Sequence, residues 1–174
     1  MTHRTLPAAL LVALALSAGL LGGCGGDDAE TAATATATPA ETPAPAPDNT
    51  DLSQKPTVPP PSGEPPSRLV KEDIVKGKGK RASKGDNVTV QYVGVAYSTG
   101  QQFDASWDSG QPFPFELGAG MVIAGWDRGV AGMREGGRRM LTIPPDLAYG
   151  DAGSPPTIGP NETLIFIVDM VKVG

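Results

Sequence analysis

Hydrophobic and polar positions divide the chain into three stretches that predict different structures. The first, Leu6–Leu21, is almost entirely apolar and follows the positive charge of Arg4, which is typical of an export signal too short to span a bilayer. The second, residues 24–66, is rich in Ala, Thr and Pro and contains no aromatic residue. Such a composition cannot offset the entropy of ordering, so it predicts a disordered, semi-extended tether. The third stretch, residues 67–174, has the patterning of a single folded domain.

Within residues 67–174, short runs rich in β-branched and aromatic residues predict strands separated by glycine and proline turns. The predicted strands are Leu69–Val75, Val88–Tyr97, Gln102–Asp104, Phe113–Leu117, Arg138–Ile143 and Thr163–Val173. The helical spacing of Ile123, Trp126, Val130 and Met133 predicts one helix over Ile123–Met133. We therefore predict an α+β fold in which a curved antiparallel β-sheet of about five strands wraps over one short α-helix.

The end of the apolar stretch carries a motif of its own. Leu21-Gly22-Gly23-Cys24 resembles the lipobox of bacterial lipoproteins, an aliphatic and two small residues before a cysteine. This resemblance implies cleavage before Cys24, leaving residues 1–23 as signal peptide, and acylation of Cys24 with fatty acids such as palmitate. Several acyl chains give firm anchoring, so we expect an extracytoplasmic protein held at the cell membrane by lipid only. The alternative is an ordinary signal peptide with a chance cysteine.

Processing at this site limits the chemistry of the mature chain. His3 is the only histidine and Cys24 the only cysteine, so no histidine base or free thiolate remains after cleavage and acylation. Ser-His-Asp and Cys-His catalysis and the usual zinc sites are therefore excluded, and we expect no metal or cofactor. Residues 67–174 carry 12 Lys and Arg against 12 Asp and Glu, which gives no net field suited to nucleic acid.

Eight sequence blocks occur in the order and spacing of the FK506-binding protein (FKBP) type of peptidyl-prolyl isomerase, and this resemblance covers residues 67–174. The blocks are Val90-Gln91-Tyr92-Val93-Gly94, Phe103-Asp104-Ala105-Ser106, Pro112-Phe113-Pro114-Phe115, Gly118, Val122-Ile123-Ala124-Gly125-Trp126, Leu141-Thr142-Ile143-Pro144, Leu147-Ala148-Tyr149-Gly150 and Leu164-Ile165-Phe166. A single Ala-Tyr-Gly would be weak, but this many ordered blocks make the resemblance specific.

The resemblance implies one hydrophobic pocket, with Trp126 as its floor. It assigns catalysis to Asp104, Ile123, Trp126, Tyr149 and Phe166, and substrate binding to Tyr92, Phe103, Phe113, Val122 and Ile158. The backbone N–H of Ile123 and the hydroxyl of Tyr149 would orient the bound peptide, and Ile158 would form an apolar lip. The sequence departs from the best-known members at Ser109, where they have an arginine paired with the pocket aspartate, at Ser154, where they have a histidine, and at Met121, where they have an acidic residue.

The activity implied is acceleration of Xaa-Pro isomerisation, which breaks no covalent bond and so suits a chain without base or thiol. The expected substrates are Xaa-Pro-containing exported polypeptides, and macrolides of the FK506 and rapamycin type are implied ligands. The three departures leave peptide preference and the tightness of macrolide binding open. A monomer is expected. Two alternatives remain: a lipoprotein whose pocket binds proline segments without catalysis, and a surface lipoprotein whose domain only displays the tether or an adhesive loop.

Overall fold

A computed structural model describes residues 48–174. The predicted signal peptide, Cys24 and the first part of the tether lie outside the described residues. The strands are β1 Val70–Val75, β2 Asn87–Ala96, β3 Gln102–Ala105, β4 Phe113–Glu116, β5 Gly137–Ile143 and β6 Leu164–Val173. The helices are α1 Ser106–Ser109 and α2 Ala124–Val130, with a 3-10 turn at Pro145–Leu147. None of the helices in this part of the chain is long and apolar enough to cross a bilayer.

The six strands form one antiparallel sheet with the order β1-β5-β6-β2-β3, and β4 pairs separately with β2. The last strand, β6, lies in the middle, where it pairs with β2 on one side and β5 on the other. Residues on both faces of β6 are buried along most of its length, which explains its nearly continuous apolar sequence. The predicted α+β class and sheet-over-helix arrangement are confirmed.

The inner face of the sheet packs against α2. On β6 this face carries Leu164, Phe166, Val168 and Met170, all of which belong to the main hydrophobic core. The helix lies close to β5 because it presents glycines there. A Cβ atom at Gly125 would lie 2.3 Å from Ile143 Cγ2, and one at Gly129 would lie 2.7 Å from Leu141 Cδ1. These glycines allow α2 to pack directly against the sheet.

Helix α2 is shorter than the predicted Ile123–Met133. After Val130 the backbone turns, with Gly132 at a φ of 85°, and pairs with the loop between β1 and β2. The Gly132 N–H donates to the Ala82 carbonyl (2.9 Å) and the Ala82 N–H donates to the Met133 carbonyl (2.8 Å). The apolar periodicity continues to Met133 because that side chain still enters the core. The four-residue helix α1 was not predicted, since it is too short to show a periodic pattern.

The outer face of the sheet carries a second, smaller hydrophobic cluster. Its buried members are Val93, Val95, Ala105 and Ile165, and they are partly covered by Val58, Tyr97, Trp107 and Met140. Residues 48–58 therefore differ from the predicted disordered tether, because they lie against this face, with Asn49 and Pro56 buried. The sequence does not reveal this packing, because the contacts of residues 48–58 depend more on backbone carbonyls than on apolar side chains.

Candidate active site

A cavity of about 420 Å³ opens where the inner face of the sheet meets the start of α2. Strands β2, β3, β4 and β6 contribute one wall, and the segment entering α2 contributes the other. Its lining residues are Tyr92, Phe103, Asp104, Phe113, Met121, Val122, Ile123, Trp126, Tyr149 and Phe166. The size and the mostly apolar lining are typical of a small-ligand or peptide side-chain site.

Trp126 is the centre of the aromatic lining and is only 4% exposed. Its ring centroid lies 5.1 Å from that of Tyr92 and 5.2 Å from that of Phe166, with interplanar angles of 83° and 88°. Phe103 meets Phe166 in the same way, at 5.5 Å and 88°. Edge-to-face pairs are the preferred aromatic geometry and hold one another in place. The aromatic part of the lining is therefore closely packed and apolar.

Gly94 on β2 makes this ring arrangement possible. A Cβ atom there would lie 2.7 Å from Phe166 Cε1 and 2.8 Å from Phe103 Cζ. Neither aromatic ring can yield without disturbing the other, because the two are packed edge to face. The sequence shows Gly94 within a strand pattern, which signals close approach by a neighbouring group, but it does not identify that group.

Asp104 is the only carboxylate in the lining, and it lies at the exposed mouth of the cavity. Its Oδ2 accepts a hydrogen bond of 2.6 Å from the Tyr92 hydroxyl, and no ion pair to it is formed within residues 48–174. Burial, followed by the hydrogen bond to Asp104, raises the pKa of Tyr92 well above its ordinary value. Tyr92 therefore stays neutral and remains a donor to Asp104 at physiological pH.

The rim of the cavity is held by Asp127 from the first turn of α2. Its two carboxylate oxygens accept hydrogen bonds from the backbone N–H groups of Gly118 (2.8 Å) and Gly120 (3.1 Å). These bonds fix the loop that carries Met121, which is 66% exposed. Sequence analysis missed Asp127 as part of the site, and it placed Met121 at the pocket edge only as a departure from the family. An aspartate near a helix start resembles an ordinary cap, although here it serves the preceding loop.

Nine of the ten residues that the sequence predicts for the site line this cavity. The exception is Ile158, which is 5% exposed and belongs to the main core. The N–H of Ile123 makes no hydrogen bond to another described residue, and Tyr149 is 41% exposed, so both are available as donors. The Ser109 hydroxyl donates to the Ser106 carbonyl at 2.9 Å and forms no hydrogen bond with Asp104. The catalytic and binding roles of these residues stay predictions.

Comparison with known proteins agrees with this geometry. Residues 78–171 match the family described as FKBP-type peptidyl-prolyl cis-trans isomerase. The chain is 57% identical over 121 residues to an FK506-binding protein of Streptomyces anulatus, covering 69% of this chain and 98% of that protein. It is 48% identical over 119 residues to a probable FK506-binding protein of Corynebacterium glutamicum, covering 68% of this chain and 98% of that protein.

Solved structures have the same fold. AtFKBP13 aligns with a TM-score of 0.58 and 38% identity, over 63% of this chain and 95% of that one. FkpA from Escherichia coli aligns with a TM-score of 0.55 and 41% identity, over 60% of this chain and 47% of that one. The Streptomyces match of 121 residues is longer than the 108 residues from Ser67 to Gly174. The similarity therefore extends upstream of Ser67.

The chain belongs to the FKBP-type peptidyl-prolyl cis-trans isomerases. It is accordingly an enzyme that acts on Xaa-Pro bonds, and proline-containing polypeptides are its general kind of substrate. Residues 48–174 contain no group of three or more His, Cys, Asp or Glu side chains placed to hold a metal ion.

Proposed function

We propose that the aromatic cavity accelerates Xaa-Pro isomerisation by holding proline against Trp126, and that the enzyme acts on exported polypeptides outside the cytoplasm while anchored by lipid at Cys24. The observation that supports the first part most directly is the ring arrangement at Trp126, with one carboxylate at its mouth. The anchor and the location rest on the sequence pattern of residues 1–24.

The physical basis is the loss of amide resonance during rotation. The planar amide places partial negative charge on its oxygen, which water stabilises, and the barrier to rotation is about 20 kcal/mol. The twisted amide is less polar, so an apolar cavity disfavours it less than the planar form. Each 1.36 kcal/mol of this preference raises the rate about tenfold. The buried face of Trp126 supplies such an environment.

The polar groups at the rim would orient the peptide. The N–H of Ile123, which has no partner within residues 48–174, is placed to donate to a peptide carbonyl, and the exposed hydroxyl of Tyr149 is a second donor. Asp104 Oδ2 is held by Tyr92, and Oδ1 has no partner within residues 48–174. That free oxygen is available to the reacting amide group, where a fixed negative charge favours the less polarised twisted state.

Exchange of a short Leu-Pro peptide between its cis and trans forms tests the activity. The full chain is expected to accelerate exchange, and Asp104→Asn to lose at least about tenfold in kcat/KM. Asp146→Asn is the matched control, because Asp146 is an exposed aspartate that does not line the cavity. If Asp104→Asn were as active as the control, the role given to this carboxylate would be wrong. Peptide binding without acceleration by the wild type would favour the non-catalytic alternative.

Membrane fractionation tests the anchor independently. Replacing Cys24 by serine removes the thiol that acylation needs, so the variant is expected in the soluble fraction while the wild type stays with membranes. Metabolic labelling with a fatty acid should mark the wild type only. Unchanged membrane association of Cys24→Ser would contradict the lipid anchor without affecting the isomerase assignment.

A further inference from the structure

Arg138 is the buried centre of the outer face, and its hydrogen bonds join the sheet to residues that precede the domain. It is 1% exposed and forms a bidentate pair with Asp169, at 2.5 Å from Nε and 2.8 Å from Nη2. Its remaining donors meet backbone carbonyls of Asn49 (2.9 Å), Asp51 (3.2 Å) and Gln54 (3.0 Å). All five guanidinium N–H groups therefore have acceptors.

The carbonyls come from a compact turn that we name the strap, residues 49–58. The strap is closed by a reciprocal pair, in which Asn49 Nδ2 donates to the Thr57 carbonyl at 2.8 Å and the Thr57 N–H donates to Asn49 Oδ1 at 2.9 Å. Val58 at its end packs against the second hydrophobic cluster. The strap therefore has its own internal structure and a specific seat on the sheet.

The strap and the ion pair meet helix α1. Trp107 packs on the same second cluster as Val58, and its indole N–H is buried without a hydrogen-bond partner in residues 48–174. Trp107 opposes part of the rise in pKa that burial causes in the Asp169 carboxyl. Lys55 of the strap contacts Asp108 of α1 at 2.5 Å. The strap thus holds α1 from the outer side of the sheet.

Helix α1 begins immediately after the strand that carries Asp104. On its inner side, the Ser106 hydroxyl accepts from the Tyr92 N–H at 2.8 Å and donates to Gln91. Asp104 lies in β3, where it pairs with Gly94, and its side chain has one hydrogen bond, from Tyr92. Its place therefore depends on this strand pairing and on the backbone that follows it. That backbone is fixed by Ser106 on one side and by the strap on the other.

We propose that the strap is a positioning element for Asp104, acting through α1. This inference rests on the proposed function, since it gives Asp104 a role in the reaction. Because no residue of the strap lines the cavity, it is a positioning segment and not a catalytic one.

The test replaces residues 49–58 in the full chain by a glycine-serine sequence of equal length. A matched control replaces residues 31–40 in the same way. The strap variant is expected to lower kcat about fivefold for a Leu-Pro peptide, with KM changed less than twofold, while the control equals wild type. Both are measured where denaturation curves show the protein folded. If the strap variant does not fold, Asn49→Ala, which opens only the Asn49–Thr57 pair, is measured instead.

A double-mutant cycle with Asp104→Asn separates positioning from general stability. If the strap acts through Asp104, its replacement should slow wild type but have little further effect on Asp104→Asn. If strap replacement lowered kcat by the same factor in the wild type and in Asp104→Asn, the proposal would be overturned and the strap would be only a stabilising segment. Unchanged kcat in the strap variant would also overturn it. An inactive wild type would instead refute the proposed catalysis, so the two failures are distinguishable.

Discussion

The two faces of the sheet are both buried, but by different means. The inner face is covered by α2 and by aromatic rings that meet edge to face around Trp126. The outer face has a small apolar cluster and is completed by a buried ion pair whose arginine also binds three strap carbonyls. The inner face depends on side chains that sequence patterns reveal. The outer face depends on polar contacts between residues more than 80 positions apart.

Breaking the ion pair should have the largest effect on stability. Arg138→Met leaves a buried carboxylate and three carbonyls without donors, and is expected to lower the free energy of unfolding by about 3–5 kcal/mol. The double variant with Asp169→Leu should recover part of this loss, since only the carbonyls stay unpaired. Urea denaturation of both variants measures the difference. Equal stabilities would mean that the unpaired carboxylate contributes little.

The same single variant should acquire a pH dependence. Burial raises the pKa of Asp169, and Arg138 opposes that rise, so removing the arginine raises the pKa further. The native state then keeps a proton that the unfolded chain releases above about pH 4. Stability of Arg138→Met should therefore fall as pH increases toward neutrality. The double variant, which lacks the carboxyl group, serves as the control and should not show this slope.

Adding a methyl group on the inner face should disturb the pocket and lower the free energy of unfolding by less than breaking the ion pair does. Gly94→Ala places a Cβ against two packed aromatic rings, and overpacking of this kind costs about 1–3 kcal/mol. It should also lower kcat/KM, because the rings that move line the cavity. Gly159→Ala is the control, since no atom lies within 4 Å of its Cβ position. Full activity of Gly94→Ala would contradict the tight ring arrangement.

The smallest predicted effect is an alkaline loss of stability caused by Tyr92. Its raised pKa means that the native state keeps the phenolic proton at about pH 10, where the unfolded chain begins to lose it. Unfolding free energy should then fall with rising pH by at most about 1.4 kcal/mol per unit, and by less because the side chain is partly solvated. Tyr92→Phe should lack this contribution. If the unfolding free energies of the wild type and Tyr92→Phe changed in parallel with pH, the predicted contribution of Tyr92 would be contradicted.

Sequence analysis predicted the inner face far better than the outer one. The predicted Val88–Tyr97 differs from β2 by one residue at each end, and the predicted Thr163–Val173 differs from β6 by one residue at its start, because alternation and length favour strands. The pocket residues followed from ordered motif blocks, each local in sequence. The end of α2, by contrast, is decided by pairing with the distant Ala82. The strap was assigned to the tether because backbone carbonyls leave no pattern in a sequence.

In the proposed mechanism the rings on the inner face are catalytic as well as structural, and adjacent residues of β6 test this double role. Phe166 lines the cavity and Ile165 lies on the outer face, and both are 4% exposed. Phe166→Ala and Ile165→Ala should both lower stability by about 2–5 kcal/mol. In Leu-Pro exchange at a temperature where both are folded, we predict that Phe166→Ala loses at least about tenfold in kcat/KM and Ile165→Ala less than about twofold. Equal losses of kcat/KM in the two variants would contradict a catalytic role for the rings.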